Sequence, residues 1–148
     1  MSESVYRNCM NKRGFTLIEL MVVVSIIGIL MAAGILAFSN AQRNARDARR
    51  RADLDAISKA LEQYNVNTNG LYPTTSTLIN SYFPSGAVPL DPGGVAYDYK
   101  LTTTTYCVCD VLEATGGKGN ASALGNVSGV CSYATGATAN FFCTSQRQ

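Results

Sequence analysis

The feature that most constrains this chain is an apolar run of 24 residues near its N-terminus, from Phe15 to Phe38. Glu19 is its only charged residue, and Thr16 and Ser25 are its only other polar side chains. About 20 apolar residues in a helix cross the hydrocarbon core of a bilayer, so the run predicts a membrane-spanning helix. A carboxylate deep in such a segment costs on the order of a few kcal/mol, so we expect Glu19 to have a partner or a function.

Composition limits what the rest of the chain can be. The 148 residues leave room for one membrane helix and one small globular domain. The chain has no histidine, and its Asp, Glu and Cys residues lack the spacing of a metal site. We therefore predict that the protein is not an enzyme and that it has no catalytic residues, cofactor or metal ion. The formal net charge of +2 arises in the first 14 residues, so the remaining chain is balanced and does not favour a nucleic-acid partner.

Four of the five cysteines lie in the C-terminal third, at positions 107, 109, 131 and 143, whereas Cys9 precedes the apolar run. An even set in a small domain beyond a membrane helix favours disulfides in an oxidising compartment. A zinc site is the alternative, but the Cys-x-Cys spacing fits it poorly. Cys107 and Cys109 should share one face of a strand without bonding to each other. Two pairings remain, and we favour Cys107 with Cys131 and Cys109 with Cys143.

Residues 12–21, KRGFTLIELM, and the segment that continues to Leu30 closely resemble the class III signal of type IV pilins and pseudopilins. The resemblance implies that a prepilin peptidase cuts between Gly14 and Phe15 on the cytoplasmic side, and that the new Phe15 amine is then N-methylated. It also implies that Glu19 meets the amine of a neighbouring subunit during filament assembly. Because a buried, mispaired charge costs several kcal/mol, this acid would fix the register between subunits.

The sequence after the apolar run predicts that the helix continues to about Asn65, since it contains strong helix formers and no proline or glycine. We expect an Ala stripe, followed by larger apolar residues, to form the face that packs on the globular domain. That face comprises Ala41, Ala45, Ala48, Ala52, Leu54, Ile57, Leu61 and Tyr64. Asn69-Gly70 should end the helix. The predicted organisation is a cleaved leader, a transmembrane half-helix, an extracytoplasmic half-helix and a globular domain, at residues 1–14, 15–38, 39–66 and 67–148.

The C-terminal domain changes to a period of two, which is typical of strands. We predict strands at 95–101 and 105–113, further strands near 130–134 and 140–144, and a short helix at Ser76–Tyr82. The Gly- and Asn-rich segment 116–129 is expected to be a loop. The predicted fold class is α+β and type IV pilin-like: a long N-terminal α-helix, transmembrane in its first half, packed on a small C-terminal antiparallel β-sheet.

The family resemblance implies a structural subunit of a type IV pilus-like surface filament. Its implied partners are further copies of the chain in a helical filament, the prepilin peptidase, and an assembly platform with its ATPase. The chain is expected to be first a single-pass protein of the cytoplasmic (inner) membrane with its N-terminus in the cytoplasm. After assembly it is expected to be part of an extracellular or periplasmic filament. The first alternative is a pseudopilin of a type II secretion system.

Two weaker hypotheses remain open. One is a binding module, an adhesin or DNA-binding minor pilin, which the balanced charge of the main chain argues against; for DNA, the arginine-rich segment 43–51 would be the binding patch. Asp91 and Asp98, near the Gly93-Gly94 turn, are a thin acidic set for a calcium site.

Overall fold

The structure is a computed structural model that describes residues 14–114, 116 and 118–146. Most of the predicted leader, including Cys9 and the basic residues before Gly14, lies outside the described residues. The chain divides after Phe38 into two compact units. The first unit contributes the start of the long helix, and the second, Ser39–Gln148, contains the sheet and the core.

Helix α1 extends over 51 residues, Leu17–Asn67, which confirms the predicted long helix to within two residues at either end. It ends where the sequence predicts. Asn69 and Gly70 adopt positive φ angles of 57° and 89°, and the Gly70 N–H donates to the Asn65 carbonyl at 2.9 Å. Glycine accepts this left-handed conformation without a Cβ clash, so the pair reverses the chain and satisfies a carbonyl at the helix end.

The rest of the second unit is a 3-10 helix, Ser76–Tyr82, and a five-stranded antiparallel sheet. The strands are β1 (Asp98–Leu101), β2 (Tyr106–Val111), β3 (Ala121–Ala123), β4 (Ser132–Tyr133) and β5 (Phe141–Ser145). Their spatial order is β1-β2-β5-β3-β4, so the C-terminal strand lies in the middle of the sheet. The prediction of a loop at 116–129 was wrong in part, because β3 lies within this segment and pairs with both β4 and β5.

The core lies between the second half of α1 and the sheet. Leu54, Ile57 and Leu61 are fully buried and pack in one cluster with Tyr106 and Val108 of β2. Burying each of these aliphatic side chains contributes roughly 1.5–3 kcal/mol relative to leaving it exposed. The cluster explains why a half-helix with so many charged residues stays attached to a small sheet.

The predicted Ala stripe does not continue this face. Ala45, Ala48 and Ala52 are exposed, whereas Asp47 and Arg50 are only 3% and 6% exposed. Positions 47, 50, 54, 57 and 61 follow the i, i+3, i+4 spacing of one helical face. The face is therefore apolar at one end and charged at the other. The prediction is confirmed for Leu54, Ile57 and Leu61 but was wrong for the alanines, because the charged residues have partners across the interface.

Candidate processing and assembly site

The segment from Phe15 to Phe38 presents its side chains outward. Every described side chain in it is exposed, and the large apolar ones have between 48% (Ile27) and 88% (Phe15) of their surface exposed. Ser25 satisfies its hydroxyl internally by donating to the Val22 carbonyl at 2.7 Å, which is how a lone hydroxyl is accommodated in a membrane helix. By length and composition α1 is long and apolar enough to cross a membrane. The helix therefore carries an apolar surface that needs either lipid or protein around it.

The start of α1 is fixed by a reciprocal pair of hydrogen bonds between Thr16 and Glu19. The Glu19 N–H donates to Thr16 Oγ1 at 3.3 Å, and the Thr16 N–H donates back to Glu19 Oε2 at 2.9 Å. The Thr16 hydroxyl also donates to the same carboxylate oxygen at 2.8 Å. This is a capping box, in which a threonine and a glutamate three residues later satisfy two backbone N–H groups that the first helical turn leaves unpaired.

The capping box places the predicted site residues in order. Gly14 and Phe15 are non-helical and precede the cap, and a Cβ on Gly14 would meet no atom within 4 Å. Glu19 lies in the first helical turn, where an acidic group also interacts favourably with the helix dipole. Thr16 was missed as a functional residue, although the Thr-x-x-Glu spacing is a recognisable signal in the sequence.

The second unit contains a charged cluster centred on Arg50 of α1. Its guanidinium donates to Asp91 Oδ1 at 2.5 Å and to Asp47 Oδ1 at 2.8 Å. It also lies 3.0 Å from a carboxylate oxygen of Asp110 in β2 and 3.0 Å from one of Glu113. Asp47 in turn accepts backbone N–H groups from residues 113 and 114, each at 2.9 Å. These contacts connect the helix to the C-terminal end of β2 and to the loop that contains Asp91.

The cluster shifts the pKa values of its members in different directions. Burial alone would lower the pKa of Arg50, but hydrogen bonds to the carboxylates outweigh it and raise that pKa. A hydrogen bond from Arg46, aided by Arg50, lowers the pKa of Glu113 to about 2. Burial raises the pKa of Asp110, and the nearby Asp91 carboxylate raises it further. Charged side chains in the contact between α1 and the sheet are therefore stabilised by pairing with one another.

These pairs account for most of the arginine-rich segment. Arg46 donates to both oxygens of Glu113, and Arg51 donates to the Lys118 carbonyl and lies 5.6 Å from the Phe142 ring centroid. Arginines with these partners have little capacity left to neutralise phosphates, which weakens the DNA-binding hypothesis.

The two acids of the calcium hypothesis have cationic or backbone partners. Asp91 is bound by Arg50 and accepts the Gly93 N–H at 2.9 Å. Asp98 Oδ1 accepts from Lys100 at 2.9 Å. The two carboxylates are thus engaged by different cations.

The four C-terminal cysteines form two disulfides, Cys107–Cys131 and Cys109–Cys143, which is the pairing favoured from the sequence. Cys109 and Cys143 face each other across β2 and β5, and all four sulfurs lie within 4.8 Å of one another. The two bridges bind the central pair of strands to each other and to the segment before β4. They stabilise a domain that has a small core.

An apolar helix with a capped acid at its start, joined to a small disulfide-bonded α+β domain, defines a pilin-type subunit. The family model "Prokaryotic N-terminal methylation motif" matches residues 9–35. The type II secretion system core protein G of Pseudomonas aeruginosa is 33% identical over 58% of this chain and 71% of its own length. The corresponding protein of Vibrio cholerae is 30% identical over 76% and 90%.

A pilus protein is among the relatives as well. The type IV wide pilus major component PilA4 of Thermus thermophilus is 37% identical over 66% of this chain and 72% of its own length. No solved structure gives a significant match. The chain belongs to the family of type IV pilins and type II secretion pseudopilins. This is a family of structural, pilus-like subunits, and its N-terminal motif with one apolar helix fits a single-pass inner-membrane protein.

Proposed function

We propose that this chain is the structural subunit of a type IV pilus-like surface filament. A prepilin peptidase removes residues 1–14 by cutting between Gly14 and Phe15, and the new Phe15 amine is N-methylated. Residues 15–38 then hold the protein in the membrane until an assembly platform and its ATPase transfer it to the filament. Residues 39–66 and 67–148 form the exterior half-helix and the globular domain.

The observation that carries this proposal is the surface of the first unit. All of its described side chains are exposed, and all are apolar except Thr16, Glu19 and Ser25. In a bilayer lipid covers such a surface, and in a filament the same helices of other copies can cover it. One chain is thereby suited to both environments without refolding.

Glu19 has a specific role in this proposal. Its Oε2 is already occupied by Thr16, so the side chain is held at the start of the helix. Cleavage creates a positive amine at Phe15, and a neighbouring subunit would bring such an amine to the Glu19 carboxylate. A charged pair in an apolar helix bundle is favourable only when the partners are in register, so this contact would select one axial stagger between subunits.

The proposed orientation places the N-terminus in the cytoplasm and the second unit outside. The disulfides support it, because the two bridges require an oxidising compartment. The final filament would be extracellular for a pilus and periplasmic for a secretion pseudopilus.

A second candidate function is that of a type II secretion pseudopilin, which is favoured by the relatives named core protein G. Deletion of the gene separates the two functions. Loss of surface filaments from sheared cell material, with the subunit identified by mass spectrometry in the wild type, supports the pilus. Loss of protein secretion with surface filaments intact supports the pseudopilin.

Processing is tested by the variant Gly14→Lys, because a long side chain at the residue before the cut should not enter a site suited to glycine. We expect unprocessed chains that keep residues 1–14 and form no filaments. Gly28→Ala is the matched control, since its added Cβ meets no atom within 4 Å and alanine favours a helix. Mature chains beginning at methylated Phe15 in Gly14→Lys cells would refute the processing step.

A further inference from the structure

A cleft in the second unit lies beside the part of α1 that directly follows the apolar segment. Its volume is about 410 Å³, and its lining residues are Asn40, Arg43, Asn44, Glu113, Ala114 and Lys118. Among the described residues, the lining contains two cations, two amides and one carboxylate. The carboxylate, Glu113, is already neutralised, because Arg46 donates to both of its oxygens and Arg50 lies 3.0 Å from one of them.

The two cations of the cleft have unused hydrogen-bonding capacity. Arg43 is exposed and, within the described part of the chain, has no hydrogen bond or ion pair. Lys118 Nζ donates to Asn44 Oδ1 at 3.2 Å, which occupies one of its three N–H donors. Guanidinium and ammonium groups that converge with amide side chains suit an anion with several oxygens, such as a phosphate.

A second copy of the chain is a poor source of that anion. Each described aspartate and glutamate of the second unit already has an ion-pair or hydrogen-bond partner within its own chain. These acids are Asp47, Asp53, Asp55, Glu62, Asp91, Asp98, Asp110 and Glu113. A neighbouring subunit would therefore have to share or exchange one of these pairs to place a carboxylate of its second unit in the cleft.

The position of the cleft along the chain indicates a different source. Arg43 follows Phe38, the last residue of the apolar segment, by five residues, which is on the order of 8 Å along a helix. The headgroup layer on each side of a bilayer is about 5–8 Å deep. While residues 15–38 span the membrane, the short connection to Phe38 therefore keeps Arg43, which lines the cleft, within reach of the lipid phosphates.

We propose that this cleft binds the phosphate of an anionic phospholipid, such as phosphatidylglycerol, while the subunit is in the membrane. Arg43 and Lys118 bind the phosphate oxygens, and the amides of Asn40 and Asn44 donate to the phosphate or the glycerol. The inference rests on the membrane stage of the proposed function. It gives a function to the one arginine of segment 43–51 that has no carboxylate, carbonyl or ring partner among the described residues.

The test is lipid selectivity of the full-length chain in phosphatidylcholine vesicles. The fraction of motionally restricted lipid is measured with spin-labelled phosphatidylglycerol and with spin-labelled phosphatidylcholine, and their ratio gives the relative association constant. We expect the wild type to prefer phosphatidylglycerol by about fivefold or more, the effect of one or two cations near a lipid headgroup. The double variant Arg43→Gln/Lys118→Gln should lose the preference.

The matched control is Arg49→Gln/Lys59→Gln, which removes the same charge from exposed side chains outside the cleft. It should keep the wild-type preference. Equal selectivity in the two double variants, or none in the wild type, would overturn the inference. A preference abolished by millimolar inorganic phosphate, but not by matched chloride, would also overturn it by showing a site for free phosphate.

Flotation of the vesicles separates this outcome from failure of the proposed function. A chain that floats with the vesicles but shows no selectivity refutes the lipid site alone. A chain that does not float with the vesicles refutes the membrane stage, and the lipid site with it.

Discussion

Removing the cation at the centre of the charged cluster is the sharpest test of how the second unit is held together. Arg50→Met keeps the length and apolar character of the side-chain stem but deletes the guanidinium. Four carboxylates then lose a partner within one contact region. The side chains of Asp47, Asp91 and Asp110 are only 4%, 14% and 17% exposed, so water cannot fully replace the lost charge.

The magnitude follows from this burial. Removing one partner of a buried ion pair costs about 3–5 kcal/mol, because the remaining charge stays desolvated. Asp47 keeps two backbone donors and Glu113 keeps Arg46, so most of the loss arises at Asp91 and Asp110. A small domain has a total stability of about 5–15 kcal/mol. We therefore expect the Tm to fall by about 10–20 °C.

The assay is thermal unfolding of the full-length chain in detergent, followed by near-ultraviolet circular dichroism of its eight tyrosines. The matched control is Arg49→Met, whose side chain is 68% exposed and 3.8 Å from Asp53; it should change stability by less than about 1 kcal/mol. If Arg50→Met unfolds at the wild-type temperature, the cluster does not stabilise the domain, and the helix is held by its apolar core alone.

Three further predictions concern other sites. Arg46 holds the pKa of Glu113 near 2, below its ordinary 4.5. The free energy by which the wild type is more stable than Glu113→Gln should therefore be complete above pH 4.5 and disappear as pH falls toward 2. A difference in unfolding free energy that does not change with pH would contradict this. In Gly119→Ala the new Cβ would lie 2.1 Å from the Phe141 carbonyl oxygen, so denaturant unfolding should show a loss of about 1–3 kcal/mol, and unchanged stability would refute the close approach. Glu19→Ala should still be cut to the mature N-terminus but yield few filaments by electron microscopy, and normal filament amounts would rule out the proposed pairing.

The long helix and its end could be predicted because they depend on local signals. An unbroken run of helix formers and the Asn69-Gly70 pair carry that information within a few residues. Strands β2 and β5 also have alternating or β-branched residues. Strand β3 could not be predicted in this way, since Ala121–Ala123 has no β-favouring side chains and is extended through its pairing with Tyr133 and Phe141.

The charged end of the helix face shows a second limit of the sequence. The alanines between positions 41 and 52 have the spacing of one helical face. Asp47 and Arg50 are nevertheless the buried residues in this part of α1, because they pair with residues at positions 91, 110 and 113. Partners that distant in sequence leave no local pattern. At the start of α1 the Thr16–Glu19 capping box does leave such a pattern, and a search for Thr-x-x-Glu would have identified it.

The sulfur atoms of the sheet are well protected from the surroundings. Cys107 and Cys109 are fully buried, Cys143 is 2% exposed, and a Cβ at Gly125 would lie only 2.6 Å from the Cys107 sulfur. A small thiol needs direct access to a sulfur atom to reduce a disulfide. The rate of reduction should therefore follow opening of the sheet and level off as reductant increases. A subunit built in this way would keep its covalent links in a chemically variable environment for as long as it stays folded.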